Sequence, residues 1–177
     1  SDGILAVAET PRRTLADLVL PASPLVAVAA GIEKPGNLGA ICRSADAAGV
    51  SAMIVADGRT DLFNPNAIRA SLGTIFSLPT CQASGDETLA WLRKNSLQIV
   101  AARVDADRWF TEIDWQQPTA IILGSEATGL DSAWSGPEVT PIALPMLGAA
   151  DSLNVSTSAA VLFYEALRQR GFPERRN

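Results

Sequence analysis

The sequence predicts a single α/β domain with a mostly parallel β-sheet flanked by helices, and three observations support this fold class. Short apolar runs rich in Val, Ile, Leu and Ala alternate along the chain with segments typical of helices. These runs are continuously apolar instead of alternating in polarity, which is typical of parallel strands covered on both faces. The length of 177 residues allows one substantial core and is short for two domains.

The strands are predicted from six such runs. In chain order they are Leu25–Ala30, Ala52–Ala56, Thr74–Leu78, Leu97–Ala102, Thr119–Leu123 and Val139–Leu144. Ligands of parallel α/β sheets gather beyond the carboxyl ends of the strands. Polar residues that directly follow these runs are therefore the first candidates for a functional site.

Four helices are predicted from their boundary residues. The signals are a glycine just past the end, a proline in the first turn and an acidic-to-basic order of charges. The predicted helices are Gly39–Ala48, the segment from Asn64 to Gly73, Asp86–Lys94 and Asp151–Arg170. The apolar residues of the last one recur on a single face, as expected for a helix that packs against the sheet.

The first 24 residues differ from the rest of the chain. They contain Pro11, Pro21 and Pro24 around one short helical turn, and they show no signal-peptide or targeting pattern. We predict that residues 1–24 are a linker or the remnant of a preceding domain, and that residues 25–177 form the main domain.

The composition excludes several classes of protein. There is no histidine, which removes Ser-His-Asp hydrolysis and the usual general base. Cys42 and Cys81 have no metal-ligand spacing and form no disulfide framework, so a reducing compartment such as the cytoplasm is expected. No apolar run approaches the ~20 residues of a membrane span, and we expect no membrane partner. The net charge of −5 argues against bulk electrostatic binding of nucleic acid, although a local basic patch would suffice.

A first polar cluster, EKPGNLGAICRSADAAGV at 33–50, follows the first predicted strand. Gly36, Asn37 and Gly39 predict a tight turn into a helix with Asn37 as its N-cap, and Arg43 lies on the first turns of that helix. Arg43 is a candidate functional residue at the carboxyl edge of the sheet. Alternatively, Asn37 only caps the helix and Arg43 only solvates one of its faces.

A second cluster, LGSEATGL at 123–130, follows the fifth predicted strand. Gly124 and Gly129 allow the chain to approach a ligand or another backbone closely, and they bracket Glu126. A carboxylate at the end of a buried strand suggests a functional role. It is also consistent with an ordinary turn in which Glu126 begins a helix.

A third cluster lies at 142–167, where strand, loop and helix follow without interruption. Asp151, Ser152, Asn154 and Ser156 crowd the start of the last predicted helix, although one cap would suffice. Polar helix starts are common, so capping alone is the alternative. No G-x-G-x-x-G or G-x-x-x-x-G-K-[ST] motif is present, which disfavours an enzyme of ordinary Rossmann type that uses a nucleotide.

Three motifs in this order resemble the signature motifs of the SpoU family of RNA ribose 2′-O-methyltransferases. They are N-L-G-x-x-x-R at Asn37–Arg43, L-G-S-E-x-x-G-L at Leu123–Leu130 and L-P-M-x-G-x-x-D-S-L-N-V-S at Leu144–Ser156, called here the first, second and third motifs. Residues 60–79 also resemble the family's stretch after its first motif. The resemblance covers about residues 24 to 170. Because family members often begin with a separate RNA-binding domain, the resemblance implies that residues 1–24 are a linker or the remnant of such a domain and that residues 25–177 are the catalytic domain.

The resemblance implies a SPOUT-type fold, in which the carboxyl-terminal segment forms a trefoil knot. It also implies a homodimer through the knot region and S-adenosylmethionine bound in the knot, mainly by backbone atoms. The expected cofactor-binding residues are Ala102, Arg103, Gly124, Ser125, Glu126, Ile142, Leu144, Met146, Leu153 and Asn154. Because a sulfonium methyl group is already activated, no metal is expected.

The resemblance also implies catalytic roles. A ribose hydroxyl is a weak nucleophile, so it must be positioned while its developing charge is stabilised. Arg43 is predicted to stabilise that charge, and whether it also removes the proton stays open because a guanidinium has no acceptor site. Glu126 would orient neighbouring amides or Arg43, Asn37 and Asn154 would position the substrate, and Ser152 would shape the loop or contact the hydroxyl.

The expected substrate is ribosomal RNA, with transfer RNA as the alternative. A local phosphate-binding patch is predicted from Lys34, Arg43, Arg69 and Arg103. A second alternative is a non-catalytic RNA-binding or dimerisation module of the same fold.

Overall fold

The computed structural model describes residues 3, 7, 9–125 and 129–172. Its six strands form one sheet in which every pairing is parallel. The strands are β1 (Leu25–Ala30), β2 (Ala52–Ala56), β3 (Thr80–Ala83), β4 (Gln98–Ala102), β5 (Thr119–Leu123) and β6 (Val139–Ile142). Their order across the sheet is β3-β2-β1-β5-β4-β6. The predicted α/β class with a mostly parallel sheet is confirmed.

Helices cover both faces of the sheet. The α-helices are α1 (Pro35–Ala47), α2 (Pro65–Ser71), α3 (Thr74–Ser77), α4 (Gly85–Lys94) and α5 (Val155–Arg170), with short 3-10 segments at Leu15–Asp17, Phe110–Glu112 and Ser132–Ser135. α1, α2, α3 and α5 contribute to the core on one face. α4 and the 3-10 segment containing Trp134 pack on the other.

The strands are apolar throughout because each supplies side chains to both cores. In β1, Ala27 and Ala29 belong to the core beneath α1 and α5, whereas Val26 and Val28 belong to the core beneath α4. All six β1 residues are buried. The two-sided cover therefore explains the continuous apolar runs in the sequence.

One predicted strand is wrong. Residues 74–78 were expected to form a strand, but Thr74–Ser77 is the single-turn helix α3, and the third strand begins after Pro79. Gly73 has a φ of 84° and lets the chain enter this turn, and Thr74 Oγ1 donates a hydrogen bond to the Ser71 carbonyl oxygen at 2.8 Å. Pro79 has no N–H to donate, but its carbonyl oxygen accepts from Met53 N at 2.8 Å, so pairing starts there.

The start of α1 also differs from the prediction. Pro35 occupies the first turn and Lys34 is the N-cap residue, so Asn37 lies inside the helix and is not its cap. Gly39, expected in the turn, is likewise helical and faces α2. A Cβ atom on Gly39 would lie 2.3 Å from the Ala67 carbonyl oxygen, so glycine is required for the close packing of α1 on α2.

The last helix begins later than predicted. α5 starts at Val155, and Asn154 is its N-cap, with Oδ1 accepting from Ser156 N at 2.9 Å. Asp151 and Ser152 thus belong to the preceding loop. Within the part of the chain that the structure describes, no helix is both long and apolar enough to cross a membrane.

Candidate functional site

The site is built at the carboxyl ends of the two central strands. β1 and β5 pair directly, with Ala29 opposite Leu123 near their ends. The chain leaves β1 toward β2 and leaves β5 toward the other half of the sheet, which is the arrangement that opens a crevice in α/β proteins. The first motif follows β1 and the second follows β5, so sheet order brings the two together.

A hydrogen bond joins the first and third motifs. Asn154 Nδ2 donates to Asn37 Oδ1 at 3.3 Å, across 117 positions of sequence. Asn154 Oδ1 accepts from Ser156 N at 2.9 Å and from Ser156 Oγ at 2.6 Å. Because the carboxamide oxygen of Asn154 caps α5, its NH₂ group is directed toward α1. The structure therefore brings together two of the predicted catalytic residues.

The backbone of the second motif folds back on itself. Ser125 N donates to the Gly129 carbonyl oxygen at 3.2 Å, and Gly129 N donates to the Ser125 carbonyl oxygen at 2.9 Å. A Cβ atom on Gly124 would lie 2.7 Å from the Gly129 carbonyl carbon, so only glycine fits there. Gly129 has a φ of 67°, in the left-handed region that favours glycine. Glu126, predicted as catalytic and cofactor-binding, lies outside the described residues.

Several predicted cofactor-binding residues meet where β4 and β6 end. Ala102 pairs with Ile142, and Arg103 N donates to the Ile142 carbonyl oxygen at 2.8 Å. Ile142 is buried, and Leu144 is partly buried against the core beneath α1 and α5. These residues form one apolar edge that continues into the loop of the third motif.

The guanidinium of Arg103 is engaged within the chain. Its Nε and Nη2 donate to the two Asp105 carboxylate oxygens at 2.9 and 3.0 Å, and Nη1 donates to Ser135 Oγ at 3.0 Å. Hydrogen bonding to Arg103 lowers the pKa of Asp105, and the same bonds raise the pKa of Arg103. A phosphate contact by Arg103 would have to compete with this pair, and its RNA-binding role stays a prediction.

Arg43 lies in the middle of α1 with an exposed side chain. Within the described ranges, its guanidinium has neither a hydrogen bond nor an ion pair. Arg43 lies six positions after Asn37 in the helix. This spacing corresponds to about 9 Å along the helix axis and about 120° around it. Within one chain, α1 therefore holds Arg43 apart from the Asn37–Asn154 pair.

The loop of the third motif exposes both polar and apolar side chains. Ser152 Oγ donates to Asp151 Oδ1 at 3.1 Å, and both residues are exposed. Leu147 is 99% exposed and Leu153 is 40% exposed, whereas Met146 is partly buried. Exposed leucines beside a polar cluster leave apolar surface available to a ligand or a partner chain.

Two residues next to this site were not predicted. Trp109 pairs with Ala143 directly beyond β6 and is 47% exposed, and Ser135 accepts the hydrogen bond from Arg103. Neither residue stands in a recognisable motif, so only the fold shows their proximity. Among the residues described, no group of three or more His, Cys, Asp or Glu is placed to hold a metal ion.

The remaining predicted RNA-binding residues lie on or before helices on one face of the sheet. Arg69 is exposed on α2, and Lys34 is the exposed N-cap residue of α1. Among residues 9–125 and 129–172, the guanidinium of Arg69 has neither a hydrogen bond nor an ion pair. Lys34, Arg43 and Arg69 thus belong to the α1–α2 layer, while Arg103 follows β4.

The chain is similar in sequence to RNA methyltransferases. The chain is 39% identical over 142 residues to the 23S rRNA (uridine(2479)-2′-O)-methyltransferase of Streptomyces viridochromogenes, covering 77% of this chain and 50% of the relative. It is 30% identical over 161 residues to the 23S rRNA (guanosine(2553)-2′-O)-methyltransferase of Bacillus subtilis, covering 88% and 65%. The chain thus spans between half and two thirds of the length of these relatives.

Solved structures of similar fold agree with these relatives. An RNA 2′-O ribose methyltransferase shares 49% identity at a TM-score of 0.83, covering 90% of this chain and 62% of the other. The SpoU methyltransferase AviRb from Streptomyces viridochromogenes, in complex with AdoMet, shares 33% identity at a TM-score of 0.86, covering 92% and 63%. A model of the SpoU rRNA Methylase family matches residues 24–164, and the chain belongs to that family.

Proposed function

We propose that this chain is the catalytic part of an S-adenosylmethionine-dependent methyltransferase that modifies a ribose 2′-hydroxyl in ribosomal RNA. The observation that supports this most is the Asn154–Asn37 hydrogen bond, which joins the third motif to the first at the crevice between β1 and β5. The relatives named above act on 23S rRNA, which favours ribosomal over transfer RNA.

The residues at the β4–β6 edge fit the donor chemically. The adenosine part of the donor needs apolar contacts together with a few backbone hydrogen bonds. Ala102, Ile142 and Leu144 offer the apolar contacts, and the loop up to Leu153 leaves backbone groups exposed. We propose that these residues hold the donor together with Arg103, Gly124, Ser125, Met146 and Asn154, and that Glu126 belongs to the same site. When bound, S-adenosylmethionine supplies an activated methyl group.

The polar residues would act on the ribose. The amide groups of Asn37 and Asn154 would position it, and Ser152 would shape the loop or contact the hydroxyl. Arg43 would stabilise the oxyanion as the proton leaves, because a donor aimed at the developing charge lowers the barrier. We assign the proton to water, because a protonated guanidinium has no acceptor site.

We also propose the finer architecture of the family for this chain, with a carboxyl-terminal trefoil knot and a homodimer formed through it. The TM-score of 0.86 with AviRb supports the knot. The exposure of Leu147 and Leu153 beside the third motif is consistent with a partner chain on this side. We also propose that the protein acts in the cytoplasm, where an RNA substrate of this kind is found.

The proposed reaction is tested by methyl transfer. Purified protein is incubated with S-adenosylmethionine labelled in its methyl group and with total RNA, and the modified nucleotide is located by mapping ribose methylation. Label in ribosomal RNA at a 2′-oxygen is the expected result. Label in transfer RNA alone would correct the substrate. The absence of both label incorporation and a donor-dependent thermal shift would contradict the proposal and favour a non-catalytic module.

A further inference from the structure

We propose that Arg69, Leu72 and Phe76, called here the α2–α3 surface, bind a single-stranded stretch of RNA beside the nucleotide that is methylated. The inference rests on the proposed function for the presence of RNA and deepens it by locating a contact surface. Four properties of these residues support it: backbone conformation, exposure, ring stacking and local charge.

Leu72 adopts an unfavourable backbone conformation while exposing its side chain. Its φ of 51° and ψ of 31° are left-handed, a region that leucine rarely adopts. Helices commonly end with Gly or Asn in this conformation. Here a leucine occupies the position with 68% of its surface exposed. Because the side chain is exposed, its burial does not offset the energy of this backbone conformation. A function at the surface therefore explains the presence of leucine at this position better than folding does.

Phe76 presents an aromatic ring of fixed orientation. Its ring stacks on Phe63 with centroids 5.7 Å apart and an interplanar angle of 12°, yet 48% of its surface stays exposed. Nucleic-acid bases stack on such rings whatever their sequence, because each base has an aromatic face. A ring that is held in place loses little conformational entropy when a base stacks on it.

The segment that carries these residues has a positive charge, although the chain as a whole is acidic. Arg69 is the only charged residue in segment 62–85. Four other arginines pair with carboxylates, namely Arg59, Arg93, Arg103 and Arg168. Within the described ranges, the guanidinium of Arg69 lacks such a partner, as does that of Arg43 on α1.

Arg43 adjoins the same surface. Gly39 and Asp46, one turn before and after it on the same side of α1, contact α2 and α3. A Cβ on Gly39 would lie 2.8 Å from Ala70 Cβ, and Ser77 Oγ donates to Asp46 Oδ1 at 3.3 Å. The α2–α3 surface thus continues toward a residue that we place in the reaction.

The charge favours RNA over a second copy of the chain. In a two-fold interface centred on this surface, the positively charged Arg69 of each protomer would meet its equivalent. Phosphates would instead neutralise both Arg69 and Arg43, while bases contact Phe76 and Leu72. This combination of aromatic and arginine side chains is typical of proteins that bind single strands.

Substitutions at Phe76 test the stacking. Binding of a fluorescein-labelled oligouridylate is followed by anisotropy at low salt without the methyl donor, with an RNA hairpin as the double-stranded comparison. Phe76→Leu keeps apolar surface but loses the ring, and we expect about tenfold weaker binding of oligouridylate. Phe76→Tyr should bind like the original protein. The matched control is Lys94→Ala, which removes an exposed charge from α4 on the opposite face.

Leu72 and Arg69 give independent readouts. Leu72→Asn should weaken binding several-fold while the melting temperature stays equal or rises, because asparagine tolerates the left-handed conformation. Arg69→Ala should reduce the slope of log affinity against log salt by about one, as expected for the loss of one phosphate contact. Unchanged affinity in both Phe76→Leu and Leu72→Asn would overturn the proposal.

Two further results separate this inference from its alternatives. If sedimentation shows that Phe76→Leu changes the oligomeric state while RNA affinity is unchanged, the surface binds a second copy and the inference is wrong. If methyl transfer succeeds while all variants bind RNA equally, the inference fails and the proposed function stands. If methyl transfer fails while the variants bind oligouridylate as expected, the proposed function fails and the inference stands.

Discussion

At the scale of single residues, Asn154 has two separable roles. Its Oδ1 caps α5, and its NH₂ group contacts Asn37. Asn154→Asp keeps the capping oxygen and loses the donor, whereas Asn154→Ala loses both. We expect Asn154→Ala to lower the free energy of unfolding by about 1 kcal/mol and Asn154→Asp to leave it near that of the original protein.

Both Asn154 variants are expected to lose at least 90% of methyl-transfer activity, because each removes the NH₂ group. Urea unfolding and methyl transfer on the same preparations separate the two roles. An Asn154→Asp variant that methylates RNA at a near-normal rate would show that the contact with Asn37 has no part in the reaction.

The two cysteines predict how stability changes in alkali. Burial raises the pKa of Cys42 and of Cys81 from 9.0 to about 11. A thiol whose pKa is raised in the folded state stabilises the fold fully below pH 9, and this contribution is lost as the pH rises toward 11. We therefore expect the free energy of unfolding to fall between about pH 9 and 11. The fall should be smaller in a Cys42→Ala, Cys81→Ala double variant, and an equal fall would contradict the assignment.

At the scale of elements, Gly39 tests the packing of α1 on α2. A Cβ atom there would lie 2.3 Å from the Ala67 carbonyl oxygen and 2.9 Å from Ser71 N, so the backbone itself would have to move. Gly39→Ala should lower the free energy of unfolding by about 1–3 kcal/mol despite the better helix propensity of alanine.

Gly36 provides the control for Gly39 in the same helix. Nothing lies within 4 Å of a Cβ atom at that position, so Gly36→Ala should be neutral or stabilising by up to about 1 kcal/mol. Denaturant unfolding of the two variants is compared directly. Equal stabilities would mean that the helices separate at little cost.

The carboxyl end of α5 is held by Arg170. Its guanidinium donates to the carbonyl oxygens of Trp115, Ser23, Pro24 and Gln117 at 2.7–3.1 Å, tying α5 to the chain just before β1 and β5. Desolvation lowers the pKa of Arg170, as expected for a partly buried cation.

Replacing Arg170 leaves these carbonyl oxygens without their donor. Arg170→Met should cost about 2–3 kcal/mol of unfolding free energy, because hydrogen bonds from a charged group are lost. Arg168→Met, on the same helix, removes an ion pair whose arginine is exposed, while Glu165 keeps its hydrogen bond from Gln169 Nε2, and should cost less than about 1 kcal/mol. Thermal unfolding measures both, and comparable losses would contradict the role of Arg170.

How far the elements could be predicted depended on what stabilises each one. β1, β2 and β5 have their predicted bounds because burial on both faces selects uninterrupted apolar runs. Thr74–Leu78 has the residue types of a strand but forms α3, because local hydrogen bonds after Gly73 outweigh propensity. The helix α1 begins before Asn37 because Pro35, which has no N–H to donate, occupies its first turn.

At the scale of the whole molecule, the site could be predicted only in part. Sheet order places the first and second motifs side by side, and neither composition nor periodicity contains that order. The family resemblance assigned Asn37 and Asn154 to one site, whereas their contact across 117 positions is shown only by the structure. Trp109 and Ser135 stand outside the motifs, so their proximity to the site depended on tertiary structure alone.

The position of Arg43 has a consequence for the proposed homodimer. Within one chain Arg43 lies about 9 Å along α1 from Asn37 and points in another direction. We therefore expect Arg43 of one protomer to serve the site that contains Asn154 of the other. Neither Arg43→Ala nor Asn154→Ala alone should be active. A heterodimer of the two would have one site with both residues intact.

Mixing the two inactive variants tests this arrangement. After unfolding and refolding together in equal amounts, half of the dimers should be mixed, and each mixed dimer should have one working site of two. Methyl transfer should recover to about a quarter of the activity of the original protein. Refolding each variant alone is the control and should restore nothing. A mixture as inactive as its components would place Arg43 and Asn154 in the same protomer's site, and the separation along α1 would then have to close when RNA binds.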